Sequence, residues 1–163
     1  MVDTAELQAY SLFGGLTVEQ IGLIRPLMGT ACFESGAQII REGQPNDSIY
    51  FILEGRVDVS RCGVVIITLP EGQTFGEMEL LDVMPSVATI TAVGPVRVVT
   101  ISNRCIRTVY QRDPKVFGIV MMNLARDLSR RLRRMDEMAC DADEKPAGFL
   151  RGARDRRPSP SLD

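Results

Sequence analysis

Residues 75–89 read FGEMELLDVMPSVAT, and the order of their types suits a binding pocket. Gly76, after Phe75, supplies a turn. Glu77 supplies a carboxylate, and Met78 opens a short apolar helical turn. Pro85 then redirects the chain into Ser86, Val87 and Ala88. The chemistry such a stretch offers is noncovalent capture of a ligand. An anion held there needs a cation, and the stretch has none. The nearest arginines in sequence, Arg61 and Arg97, lie outside it on either side.

Covalent and acid–base chemistry have little to work with. The absence of histidine removes His-based triads, His metal ligands and the usual neutral-pH proton shuttle. No P-loop, GxSxG or HExxH pattern occurs, and no paired-carboxylate constellation stands out. The four cysteines, Cys32, Cys62, Cys105 and Cys140, are too far apart for a CxxC redox motif or a zinc knuckle. They read as free thiols in a reducing cytoplasm. No enzyme, metal or cofactor is expected.

A second set of residues is basic. Arg126, Arg130, Arg131, Arg133 and Arg134 crowd one segment near the end of the chain. They read either as a solvated helix face whose charges favour a helix C-terminus, or as a surface for an acidic partner, nucleic acid or an anionic dinucleotide. No aromatic residues interleave with them for base stacking. Charge is uneven along the chain. Residues 1–100 hold five Arg against twelve Asp/Glu, whereas residues 101–138 hold nine Lys/Arg against four.

These residues have to be positioned by elements. At 163 residues the chain is expected to form one domain with a tail. Thr17 and Gln20 form a capping-box pattern that opens an amphipathic run through Ile21, Ile24 and Leu27. The turn before it, Ser11 to Leu16, should bury Leu12, Phe13 and Leu16. From Ala31 to Ser102 the pattern changes to seven or eight short β-rich runs, nearly all punctuated by Gly or Pro. That pattern predicts an all-β sandwich or barrel. After Ser102 a short helix is expected. A long one follows, with Asp113 as N-cap and Pro114 at the first helical position. Its apolar residues Phe117, Met121, Leu124, Leu128, Leu132, Met135 and Met138 recur at three- and four-residue steps. The first half of this stripe should pack on the β domain, and the second half should meet a partner helix. A homodimer through residues 114–138 is therefore expected. Residues 139–163, rich in charge, Pro and Ser, are expected to form a flexible tail. No apolar run is long enough for a membrane span. The N-terminal MVDTAELQAY lacks a signal peptide's basic start, so a cytoplasmic location is expected.

Taken together, the order of elements and three motifs resemble the cyclic-nucleotide-binding domain family, which includes catabolite activator proteins, kinase regulatory subunits and gated channels. SLFGGLTVEQIGLI resembles its helical lead, and FESGAQIIREGQPNDSIYFILEGRVDV its strand–turn signature. FGEMELL with Pro85 and Ala88-Thr89 resembles its phosphate-binding cassette. The resemblance covers residues 10 to about 138. It implies a mostly β, α+β fold: a β-roll (double-stranded β-helix jelly roll) over 31–102, N-terminal helices, and C-terminal helices over 103–138. The cassette Phe75, Gly76, Glu77, Met78, Pro85, Ser86, Val87 and Ala88 becomes the implied ligand site.

The family pattern is F-G-E-[LM]-A-L-L followed by P-R-S-A-T. It implies that backbone amides after Gly76 approach a cyclic phosphate and that Glu77 takes a ribose hydroxyl. The family's phosphate-pairing arginine is Ser86 here, and the next residue is Val87. Truncating one member of a buried charge pair costs about 2–5 kcal/mol, or roughly 30- to several-thousand-fold in affinity. Gly76 and Glu77 also have a purely structural reading, as turn geometry and an amide cap. Three functions follow as alternatives. One is a stand-alone sensor domain for a cyclic nucleotide or other nucleotide second messenger that signals through its C-terminal helix to a partner protein; because Ser86 replaces the arginine, the resemblance does not by itself imply that the ligand is cyclic AMP. Another is a ligand-free dimeric scaffold or adaptor. The third, a DNA-binding regulator, is not expected, because the residues after the long helix contain no helix-turn-helix pattern.

Overall fold

Two strands of the protein send apolar residues to both of their faces, and both faces are covered. These are β3 (Ser48–Glu54) and β8 (Val96–Ser102). Side chains alternate faces along a strand, so a strand buried on both sides loses the usual polar alternation. Ile49, Phe51, Leu53, Val99 and Ile101 enter one core. Ile52, Val96 and Val98, with half-buried Tyr50, enter a second.

The computed structural model describes residues 3–82 and 84–143. The chain divides into two units, 1–127 and 128–163. In the first, the remaining strands are β1 (Gly29–Phe33), β2 (Gln38–Ile40), β4 (Arg56–Arg61), β5 (Val64–Pro70), β6 (Thr74–Phe75) and β7 (Thr89–Ala92). They form two four-stranded antiparallel sheets, ordered β1-β8-β3-β6 and β2-β7-β4-β5. This is the β-roll expected from the motifs, and it begins at Gly29. The second core is shared by the two sheets, through Ile40, Val57, Leu69, Phe75, Ile90 and Ala92. The first core joins the other face of β3 and β8 to helical segments, through Leu7, Leu12, Phe13, Leu16, Ile21, Ile24, Val109 and Leu124.

The helices begin where their caps dictate. α1 spans Thr4–Gln8, and α2 spans Val18–Ile24. Thr17 Oγ1 accepts from the Gln20 amide at 3.2 Å, and Gln20 Oε1 accepts from the Thr17 amide at 3.0 Å. This reciprocal box satisfies two otherwise orphaned donors. α3 (Glu77–Asp82) lies within the cassette. α4 (Asn103–Arg112) is capped by Ser102, and α5 runs Pro114–Asp143. Asp113 Oδ1 accepts from the amides of Lys115 and Val116, both at 3.0 Å.

α5 departs from expectation in two ways. It continues to Asp143, five residues into the segment read as tail. Ala139 and Ala142 favour helix, and the next breaker is Pro146. Residues 144–163, the rest of that segment, lie outside the described residues, as does the side chain of Met138. Within the first unit the buried face of α5 is not purely apolar. Asn123 and Asp127 are buried beside Val116 and Leu124. Asn123 Nδ2 donates to the carbonyls of Leu12 at 3.1 Å and Gly14 at 2.8 Å. Ser11 Oγ donates to Asp127 Oδ2 at 3.0 Å. The helix thus holds the Ser11–Gly14 turn by polar clamps one helical turn apart. In the second unit, Leu132 and Met135 are exposed.

Candidate ligand-binding site

The cassette starts from a backbone conformation that glycine alone adopts without strain. Gly76 has φ +79°, and a Cβ there would lie 2.7 Å from the Ser48 carbonyl oxygen and 2.8 Å from Asn46 Nδ2. Asn46 Nδ2 donates to the Gly76 carbonyl at 3.1 Å and to the Ser48 carbonyl at 2.7 Å. The turn before β3 therefore fixes the point at which the chain enters α3. Phe75, just before it, is buried in the inter-sheet core and stacks on Tyr50 with ring centroids 4.9 Å apart. Burial, reinforced by Asp47, raises the Tyr50 phenol's pKa above its ordinary value.

Glu77 and Glu79, in the first turn of α3, are 1% and 9% exposed. Charged side chains are seldom buried so fully without a specific reason. Beyond Pro85 the chain returns to the same turn that holds Gly76. Gly43 N donates to the Ser86 carbonyl at 2.7 Å, and Ser86 N donates to the Gln44 carbonyl at 2.9 Å. Ser86 is 3% exposed. Its hydroxyl has one proton and two acceptors in reach, Glu79 Oε1 at 2.5 Å and the Ala88 carbonyl at 2.9 Å.

The structure thus brings Ser86 and Ala88 together, with Ala88 buried. It leaves Met78, Pro85 and Val87 exposed and commits the Phe75 ring to the core. Glu79 is the residue that the sequence reading noticed only as one acid among three. Its signal was its place in the pattern, a glutamate where the cassette motif has alanine. Arg97, the nearest arginine after the cassette, is engaged elsewhere. It donates to Glu54 Oε1 at 2.6 Å and to Glu6 Oε1 at 3.3 Å. This hydrogen bond and charge lower the pKa of the Glu54 carboxyl below its ordinary value. Arg41 lines a cleft of about 580 Å³ with Gln38, Gln44, Asn46, Asp47 and Tyr50. Among the described residues, no group of His, Cys, Asp and Glu is placed to hold a metal ion. No helix there is long and apolar enough to cross a membrane.

Comparison with known proteins decides the family. The model of the cyclic nucleotide-binding domain matches residues 31–113, about half of the chain. The chain belongs to the cyclic nucleotide-binding domain family. Glutaminase 1 of Bradyrhizobium diazoefficiens is 29% identical over 137 residues, which cover 80% of this chain and 21% of the glutaminase. The CRP-like cAMP-activated global transcriptional regulator of Mycobacterium tuberculosis is 25% identical over 135 residues, covering 80% of this chain and 58% of the regulator. The chain therefore spans less than two thirds of either relative. A solved cyclic nucleotide-binding domain from Methylobacillus flagellatus superposes with a TM-score of 0.76 at 24% identity. That match covers 91% of this chain and 84% of the other, and it supports the fold. In the present chain Glu77 is buried in the cassette, and residue 86 is a serine hydrogen-bonded to Glu79.

Proposed function

We propose that the chain is a non-enzymatic regulatory domain that senses a nucleoside-type ligand at the Phe75–Ala88 cassette. The ligand class is a nucleoside-based second messenger whose capture does not depend on an arginine–phosphate pair at residue 86. The signal passes to a partner protein through α5. The observation that carries this reading is the junction of Gly76 with Glu77: a positive-φ glycine, held by Asn46, that leads directly into a buried carboxylate on α3. A buried carboxylate needs pairing or hydrogen bonds to offset its desolvation, and this one is placed at the entry of α3 by a turn that Asn46 holds. The test is calorimetry with cyclic AMP, cyclic GMP, cyclic dinucleotides and uncharged nucleosides. Heat from at least one of them is expected, and no heat from any at near-millimolar concentration sinks the reading.

A second reading, a ligand-free dimeric scaffold, is favoured by one observation. The exposed Leu132 and Met135 continue the apolar spacing of α5. On either reading a homodimer through residues 114–138 and a cytoplasmic location remain proposals.

A further inference from the structure

The two departures from the cassette pattern meet in space. Glu79 stands where the pattern has alanine, and Ser86 stands where it has arginine. Glu79 Oε1 is 2.5 Å from Ser86 Oγ. Glu79 is nine-tenths buried, and its second oxygen, Oε2, is also buried with no hydrogen-bond partner among the described residues. Losing arginine by itself would remove the cation from a cassette that already holds the Glu77 carboxylate. Adding Glu79 puts a second carboxylate there, one whose Oε2 is a buried acceptor with no hydrogen-bond partner among the described residues. Buried Glu77 follows the same backbone two residues earlier. A second anion beside such groups meets Coulomb repulsion that low dielectric magnifies.

We infer that Glu79 sets the polarity of the cassette: it turns away anionic phosphates and favours ligands that bring a hydrogen-bond-donating cation, such as an alkylammonium group, to the same place. This rests on the reading that the cassette holds a nucleoside-type ligand. Restoring arginine alone does not rebuild a phosphate site, because the new guanidinium meets Glu79 first and pairs with it. Both residues have to change.

The test uses three adenosines whose charge at the 5′ end differs: 5′-amino-5′-deoxyadenosine (cationic), adenosine (neutral) and cyclic AMP (anionic). Each is titrated into the full chain, Ser86→Arg, Glu79→Gln and the double variant Glu79→Ala/Ser86→Arg. Circular dichroism and thermal melting establish that each variant is folded. The unmodified chain should bind the amine at least tenfold more tightly than cyclic AMP. The isosteric Glu79→Gln should shrink that preference to about threefold or less. Ser86→Arg should still bind cyclic AMP poorly, whereas the double variant should bind it at least a hundredfold more tightly than Ser86→Arg does. The inference is overturned if cyclic AMP matches the amine on the unmodified chain, if Ser86→Arg alone gains full cyclic AMP affinity, or if the folded double variant gains none. If the unmodified chain binds none of the three while the double variant binds cyclic AMP, the ligand-sensing reading falls and the exclusion of anions by Glu79 stands.

Discussion

Ser86 Oγ lies 2.5 Å from Glu79 Oε1, so the residue that replaces the cassette arginine is bonded to the residue that replaces the cassette alanine. Two substitutions that look independent in the sequence form one buried pair. The pair sits on a tightly held backbone, with Gly76 at positive φ and Ser86 bonded on both sides to the Gly43–Gln44 turn.

Gly76→Ala tests whether the cassette's entry is as constrained as its geometry indicates. The new Cβ has to occupy a left-handed conformation and approach the Ser48 carbonyl oxygen to 2.7 Å. Left-handed backbone alone costs about 1–2 kcal/mol, and the contact adds to it. A loss of about 2–4 kcal/mol in urea unfolding is expected. A change below about 0.5 kcal/mol would show that the turn relaxes freely.

Asn123→Leu removes the donor that serves the Leu12 and Gly14 carbonyls. Each buried acceptor left unpaired costs about 1–3 kcal/mol. The variant should lose at least about 2 kcal/mol, and amide exchange should speed up in residues 11–16 before the rest of the domain. Unchanged exchange in that turn would refute the clamp.

The exposed Glu54–Arg97 pair makes a signed pH prediction. The pKa of Glu54 is lowered by its hydrogen bond to Arg97, then by the charge itself. Its contribution is fully present above the unfolded carboxyl value and is lost as pH falls through the lower folded value. Melting temperatures of the parent and Glu54→Gln should therefore differ at pH 6 and converge toward pH 3, with a gap that shrinks in high salt. A gap that widens on acidification would contradict the assignment.

Much of the fold was legible because local signals and long-range pattern agreed. The Thr17–Gln20 box, the Asp113-Pro114 helix start and the glycine-punctuated strands each imposed one local geometry. The site was legible only in part. That Ser86 replaced an arginine was evident from the motif. That Glu79 would reach it was not, because the two residues meet only when α3 and the chain after Pro85 are both folded against the Gly43–Gln44 turn. Asn123 and Asp127 escaped for a related reason. An apolar stripe at three- and four-residue spacing predicts a buried face, but it does not say which polar residues on that face will find carbonyls and hydroxyls opposite.

Alkylation kinetics separate buried from exposed thiols. Burial raises the pKa of the Cys105 thiol above its ordinary value, whereas Cys32 and Cys62 are exposed. Thiolate is the reactive form. In the folded protein, iodoacetamide should label Cys32 and Cys62 at least about tenfold faster than Cys105, as read by peptide mapping. Equal rates would mean that the first core opens readily.

The exposed stripe of α5 is tested by Leu132→Lys/Met135→Lys. If these residues meet a second copy, light scattering should give a dimer for the parent and a monomer for the variant, with unchanged circular dichroism. A parent that is monomeric at 100 micromolar, roughly the upper range for a specific weak dimer, would remove the homodimer.

The central proposal is that the Glu79–Ser86 pair leaves this cassette with little affinity for a cyclic phosphate. Calorimetric titration of cyclic AMP into the unmodified chain tests it most directly. The account predicts a dissociation constant in the millimolar range or weaker, since the missing arginine–phosphate pair alone removes about 2–5 kcal/mol, roughly 30- to several-thousand-fold in affinity. A micromolar or tighter constant, with the Glu79–Ser86 pair intact, would contradict it.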